Sequence, residues 1–230
     1  MENIFSPDFY SHIDALEILL AGWDTLAMLG LSLLFSVLIG LVAGIGLVLT
    51  GPGGLAANRL IYGVLGFVIN VLRSVPFVIL FILLIPVTLA LVGTTLGVRG
   101  AVLPLVLAAA PFFARLVETA LREVSPVVVE ATLALGATRR QVVLHTLLPE
   151  AMPGLIAAVT VTAIALVSYT AMAGVVGAGG LGDLAVRYGY QRFQLDVMIV
   201  TVVLIIVLVQ IVQMLGDAWV ARFHRRRLSK

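Results

Sequence analysis

Residues 177–182 read Gly-Ala-Gly-Gly-Leu-Gly, and Gly177, Gly179 and Gly182 satisfy G-x-G-x-x-G, the spacing that holds a pyrophosphate where a strand passes into a helix. The surroundings are wrong for that chemistry. The segment follows an apolar run rather than a strand, and no acid lies the roughly 20 positions on that a ribose contact needs, Asp196 being only 14 beyond Gly182. No G-x4-G-K-[ST] occurs, and the GPGG stretch at Gly51–Gly54 lacks the Lys and Ser/Thr that phosphate and magnesium would require. The histidines His12, His145 and His224 are scattered, there is no cysteine, and no carboxylate pair sits at ligand spacing on a common helix. Catalysis, a metal site and nucleotide binding are not expected of this chain. The glycine cluster reads instead as a tight turn leading into a short amphipathic helix from Leu181 to Tyr190.

The elements that carry these residues are set by the solvent they must meet. Of 230 residues 61% are apolar and 11% charged, whereas a soluble domain has charges on roughly a quarter of its residues. Mean hydropathy is +1.17, and several apolar runs are near the ~20 residues that cross a bilayer as a helix. The runs are uniformly apolar rather than alternating, which excludes a membrane β-barrel. The expected fold is an all-α polytopic membrane protein with about five transmembrane helices, a single domain over 1–230. The expected spans are 25–49, 76–93, 100–116, 155–175 and 197–219. Between the first two, 60–72 is expected as a helix near one interface, because Arg73, Ser74 and Pro76 interrupt the run and an unpaired Arg at mid-membrane costs several kcal/mol. One kinked helix over 60–93 is the alternative. Gly40 and Gly44 have the small-residue spacing of close helix packing.

Charge orients the bundle. The first 24 residues hold Glu2, Asp8, Asp14, Glu17 and Asp24 but no Lys or Arg, so the basic start of a cleavable signal peptide is missing and no processing is expected. The tail carries Arg222, Arg225, Arg226, Arg227 and Lys230. With that tail in the cytoplasm, eleven basic residues lie inside and three (Arg99, Arg187, Arg192) outside, as the positive-inside rule requires. The N-terminus is then external. The tail charges have no basic face elsewhere and no interleaved aromatics, so nucleic acid is not an expected partner.

The segment 117–153 is longer than a connector needs. Ser125 followed by Pro126 reads as a helix start, with the helix running from Val127 to Leu135 and ending at Gly136. Thr138 and Gln141 match a capping box, opening a second helix that Pro149 should stop. A short, partly apolar helix held below the membrane implies a partner surface that receives it.

The stretch EATLALGATRRQVVLHTLLPEAMPGL resembles the signature E-A-A-x3-G-x9-I-x-L-P of permease subunits of bacterial ABC importers. Glu130, Ala131, Gly136, Leu148 and Pro149 fall on it, while Thr132 stands for the second Ala and Thr146 for the Ile. RSVPFVIL at Arg73–Leu80, APFFARLVETALREV at Ala110–Val124 and VGAGGLGDLAVRYGYQRF at Val176–Phe193 are similar to the branch that imports D- and L-methionine. The likeness covers residues 20–222. It implies the architecture of a type I ABC importer permease, and a coupling helix that docks on a separate ATPase through Glu130, Ala131, Leu135, Gly136, Ala137, Thr138, Arg139 and Arg140. The implied partners are two ATP-binding subunits carrying the ATP and Mg2+, a second copy of this chain, an external substrate-binding protein and the lipid bilayer of a bacterial inner membrane. The implied substrate is an amino acid, methionine first. A permease for an osmolyte or phosphonate, or an autonomous channel or secondary carrier, are the alternatives.

Thr160, Thr162, Ser168, Tyr169, Thr170 and Met172 gather in the fourth span. Ser168 and Met172 share a helix face. If two copies meet about a two-fold axis, Ser168, Tyr169 and Met172 would line the translocation path, with Met172 as an apolar plug.

Overall fold

The backbone of residues 14–228 and side chains through Phe223 are described in a computed structural model; His12 and the tail side chains from His224 onward lie outside the described residues. All described elements are helical, because in lipid a helix satisfies its own backbone. Helix α1 spans Ala15–Thr50, α2 Arg59–Ser74, α3 Phe77–Leu83, α4 Ile85–Val92 and α5 Gly97–Arg122. Helix α6 is Pro126–Ala134 and α7 Arg139–Val142; a π turn at Val143–Leu147 leads into α8, Leu148–Ala173. A second π turn at Gly174–Ala178, α9 at Gly180–Leu184, a third π turn at Ala185–Tyr190 and α10 at Leu195–Leu228 complete the chain. Four stretches are long and apolar enough to cross a membrane, and α2 with α3 would make a fifth as one broken span.

The helices exceed the expected spans for local reasons. Helix α1 starts ten residues early because the Asp14 carboxylate caps it, accepting from the N–H groups of Leu16 at 2.9 Å and Glu17 at 3.4 Å. Helix α5 runs past Leu116 because Glu118 accepts from Arg115 at 2.5 Å and from Arg122 Nη2 at 2.9 Å along one helix face. The interval outside the long helices therefore shrinks from 117–153 to 123–138. The expected second span, 76–93, is broken at Leu84, since Pro86 cannot donate into a continuing helix and instead sits in the first turn of a new one.

The break after Arg73 forms as the sequence indicates: α2 and α3 are bent by 103° across Ser74–Pro76. Helix α2 packs against α1 and α5. Leu65 packs near Gly46, Ile69 beside Leu47 and Ala114, and Arg73 over the Phe112 ring at 6.0 Å. Successive turns of α2 thus meet progressively earlier residues of α5, the pattern of an antiparallel neighbour. Arg115 ties the two helices at Gly66. There Arg115 donates to the Gly66 carbonyl at 3.3 Å and to Asn70 Oδ1 at 2.9 Å.

Two compact units divide the chain. One gathers residues up to Leu34, Val75–Ala108 and Ala163–Val212. Inside it Ala21, Leu181 and Leu184 form a buried cluster with Ile18, Tyr188, Leu204 and Ile205 around it. The other gathers Phe35–Ser74, Ala109–Thr162 and the chain from Gln213. Its core is Phe113, Val117, Leu121, Val142, Leu147 and their neighbours. Here Gly40 and Gly44 act as their spacing suggested: a Cβ on Gly40 would lie 2.7 Å from the Ala110 carbonyl, and one on Gly44 2.7 Å from that of Ala114.

Candidate functional site

Helix α6 is built as the sequence implies and is held by very little. Ser125 occupies the N-cap with Pro126 in the first turn, although the Ser125 hydroxyl accepts no capping bond. The chain leaves α6 through Gly136 at φ +84°, a left-handed conformation that L side chains adopt only at a cost. It then enters α7 by a complete capping box: Thr138 N–H donates to Gln141 Oε1 at 2.8 Å, and Gln141 N–H to Thr138 Oγ1 at 3.4 Å. Within α6 only Val129 and Thr132 are partly shielded. Val127 is 72% exposed and Leu135, just beyond, 89%. Glu130, Ala131, Arg139 and Arg140 are exposed too, and among the described residues the Glu130, Arg139 and Arg140 side chains make no hydrogen bond or ion pair. Thr132, Leu135, Gly136, Ala137, Gln141 and His145 surround an open hollow of about 390 Å³. The eight residues expected at a coupling surface are thus brought together, on or beside one outward-facing helix.

Pro149 does not stop the second helix. The helix runs on to Ala173 because the five residues before Leu148 form a π turn, in which Leu148 N–H donates to the Val143 carbonyl. That wider turn takes up the missing donor and the ring that would collide in an α-helix. Helix α7 and the expected fourth span are therefore one continuous helical rod, Arg139–Ala178.

On that rod the polar set divides. Thr160, Thr162 and Thr170 are buried and donate to the carbonyls of Ile156, Ala158 and Val167, so their hydroxyls serve the helix itself. Ser168 and Met172 stay on an exposed stripe with Val161 and Val175. Tyr169 turns aside, its ring stacked on Phe77 with centroids 4.9 Å apart and 10° between planes. Sequence reasoning did not foresee that stack, since nothing in spacing joins residues so far apart.

The glycine cluster turns the chain and permits a close crossing. Gly177, Gly179 and Gly180 have positive φ. A Cβ on Gly174 would overlap the Asp183 amide nitrogen, and one on Gly182 would overlap the Ala171 backbone. The Leu181 N–H is taken by Thr25 Oγ1 at 2.9 Å. Nearby, Arg187 bridges Asp183 at 3.0 Å and Glu17 at 3.1 Å, and Tyr188 donates to Glu17 at 3.0 Å. Burial works to lower the Arg187 pKa, but the carboxylates outweigh it and the value is raised, so this guanidinium stays charged throughout the working pH range. No group of three metal-ligating side chains occurs among the described residues.

The described elements are all helical, four or five of them candidate membrane spans, with the short exposed helix α6 between two of these. Residues 36–229 match the model of the binding-protein-dependent transport system inner membrane component, and the chain belongs to that family. It is 47% identical over 209 residues to a probable D-methionine transport system permease protein, MetI, of Vibrio cholerae, covering 91% of this chain and 93% of that one. It is 47% identical over 171 residues to the methionine import system permease protein MetP of Bacillus subtilis, covering 74% and 77%. Among solved structures, an inward-facing MetNI methionine ABC transporter aligns with TM-score 0.89 at 44% identity over 92% of this chain and 99% of that one. The architecture is that of a type I importer permease.

Proposed function

We propose that this chain is the membrane-spanning subunit of an ATP-driven methionine importer, two copies of it pairing with two ATP-hydrolysing subunits and receiving substrate from an external binding protein. The kinship with methionine permeases favours methionine over an osmolyte or phosphonate, and an ATP-coupled subunit over an autonomous channel. The observation that carries the reading is α6, a short helix whose every residue but Val129 and Thr132 faces outward.

In this scheme Glu130, Ala131, Leu135, Gly136, Ala137, Thr138, Arg139 and Arg140 meet the ATPase subunit on the cytoplasmic side. The nucleotide and its magnesium belong to that subunit. Its closure displaces α6, and because α6 leads through the capping box and π turn into α8, the displacement reaches a helix that carries Ser168 and Met172. Exchange between inward and outward openings is then a rigid-body transition between two packed states. The N-terminus lies outside and the basic tail inside the inner membrane.

Replacing Glu130 by Ala or Gly136 by Val tests the docking. Both variants should insert and keep the fold, yet fail to retain the ATPase subunit on purification and lose ATP-dependent uptake. Full transport by both would remove α6 from the coupling path.

A further inference from the structure

Thr132 and Thr146 are the two positions at which this chain departs from the E-A-A-x3-G-x9-I-x-L-P signature. Their hydroxyl oxygens lie 3.1 Å apart, one on α6 and the other in the π turn that opens the rod to α8. The direction of the bond follows from counting hydrogens. Thr132 Oγ1 donates its one hydrogen to the Val128 carbonyl at 2.8 Å, so toward Thr146 it accepts and Thr146 donates. Five other helical threonines, Thr25, Thr50, Thr119, Thr162 and Thr201, turn their hydroxyls back to a carbonyl four residues earlier, and Thr170 to one three earlier. The buried Thr146 does not; its hydroxyl is spent on α6.

That bond matters because α6 has so few others to the bundle. Its shielded residues are Val129, which packs on the buried cluster around Val142 and Leu147, and Thr132. The helix is flanked by Ser125, which forms no side-chain cap, and by Gly136, where a Cβ would meet nothing within 4 Å. No side chain fastens either end; the turn at Gly136 is closed by the backbone alone, Ala137 N–H donating to the Thr132 carbonyl at 3.4 Å. One apolar contact and one hydrogen bond fix the angle between α6 and the π turn.

We propose that Thr132 and Thr146 are a positioning pair: their hydrogen bond locks α6 to the rod, so that force from the ATPase subunit moves α8 instead of swinging α6 about its ends. The two departures from the signature are then one compensated change, a hydroxyl pair where Ala and Ile would make an apolar contact. The inference rests on α6 being the docking helix.

The test is the ratio of substrate transported to ATP hydrolysed by the full complex in proteoliposomes, for Thr146→Val, Thr132→Val, Thr146→Ser and the double variant Thr132→Ala/Thr146→Ile. A hydrogen bond of ordinary strength corresponds to about a three- to tenfold change, so each Val variant should keep its ATPase subunit and its hydrolysis while the ratio falls by that factor. Thr146→Ser should behave as the unaltered protein, and the double variant should recover to within about twofold, its paired effect being non-additive. An unchanged ratio in Thr146→Val, or a double variant no better than the worse single one, would overturn the proposal. So would loss of the ATPase subunit from the Val variants, which would make the pair a support of docking rather than of coupling. Failure of the docking reading itself looks different: there the Glu130 and Gly136 variants transport normally.

Discussion

Phe77 and Tyr169 stack face to face, 4.9 Å between centroids, and so fasten the first residue of α3 to the helix that carries Ser168 and Met172. Phe77 is buried and also meets Phe81 edge-on at 5.9 Å. Aromatic pairs of this kind are worth about 0.5–1.5 kcal/mol beyond the area they bury. Tyr169→Phe should therefore transport like the unaltered protein, since the ring and not the hydroxyl makes the contact. Tyr169→Ala should lower the melting temperature in detergent and reduce uptake several-fold. Equal uptake by both variants would show that the stack does not position α8.

Met172 is 45% exposed on the stripe it shares with Ser168. As the plug of a path between two copies it should hold the path shut when no substrate is present. Met172→Ala is expected to raise ATP hydrolysis in the absence of substrate, or the leak of small solutes from loaded vesicles. Unchanged basal hydrolysis and leak would place Met172 in packing alone.

Gly182 and Gly63 offer a matched pair. A methyl group on Gly182 meets the Ala171 backbone, which cannot rotate away, whereas one on Gly63 meets nothing within 4 Å. Gly182→Ala should cost about 1–3 kcal/mol or more by overpacking and appear as a large drop in melting temperature. Gly63→Ala, inside α2, should be neutral or slightly stabilising. Similar melting curves for the two would contradict the close crossing of the Gly-rich turn.

What could be read in advance was what short stretches of chain decide for themselves. Ser125, Pro126, Gly136 and the Thr138–Gln141 pair fixed α6 and its neighbour because capping and positive-φ turns involve only adjacent residues. The break at Ser74–Pro76 was legible for the same reason. Pro149 misled because a proline does not by itself end a helix: Pro153 lies inside α8, and before Pro149 a π turn takes up the missing donor. The π turn before it holds buried Val143, Thr146 and Leu147, and tertiary packing is invisible in a local pattern. Arg73 was expected near the interface on a helix lying along it. Its place over Phe112 depends on how α2 packs against α5, which spacing does not reveal. The reverse held for the G-x-G-x-x-G cluster: the turn was legible, but its purpose, letting Gly174 and Gly182 bring two segments into backbone contact, was not.

In the proposed reading this chain passes methionine across a membrane only when a partner hydrolyses ATP. The measurement that tests it most directly is uptake of labelled methionine into proteoliposomes holding the chain with its co-purified ATPase subunit and the binding protein, with and without ATP, against a panel of other amino acids, osmolytes and phosphonates. The account predicts accumulation that needs ATP and both partner proteins and that unlabelled methionine competes away. Flux that proceeds without ATP, or ATP-driven uptake of an osmolyte or phosphonate with methionine left outside, would contradict it.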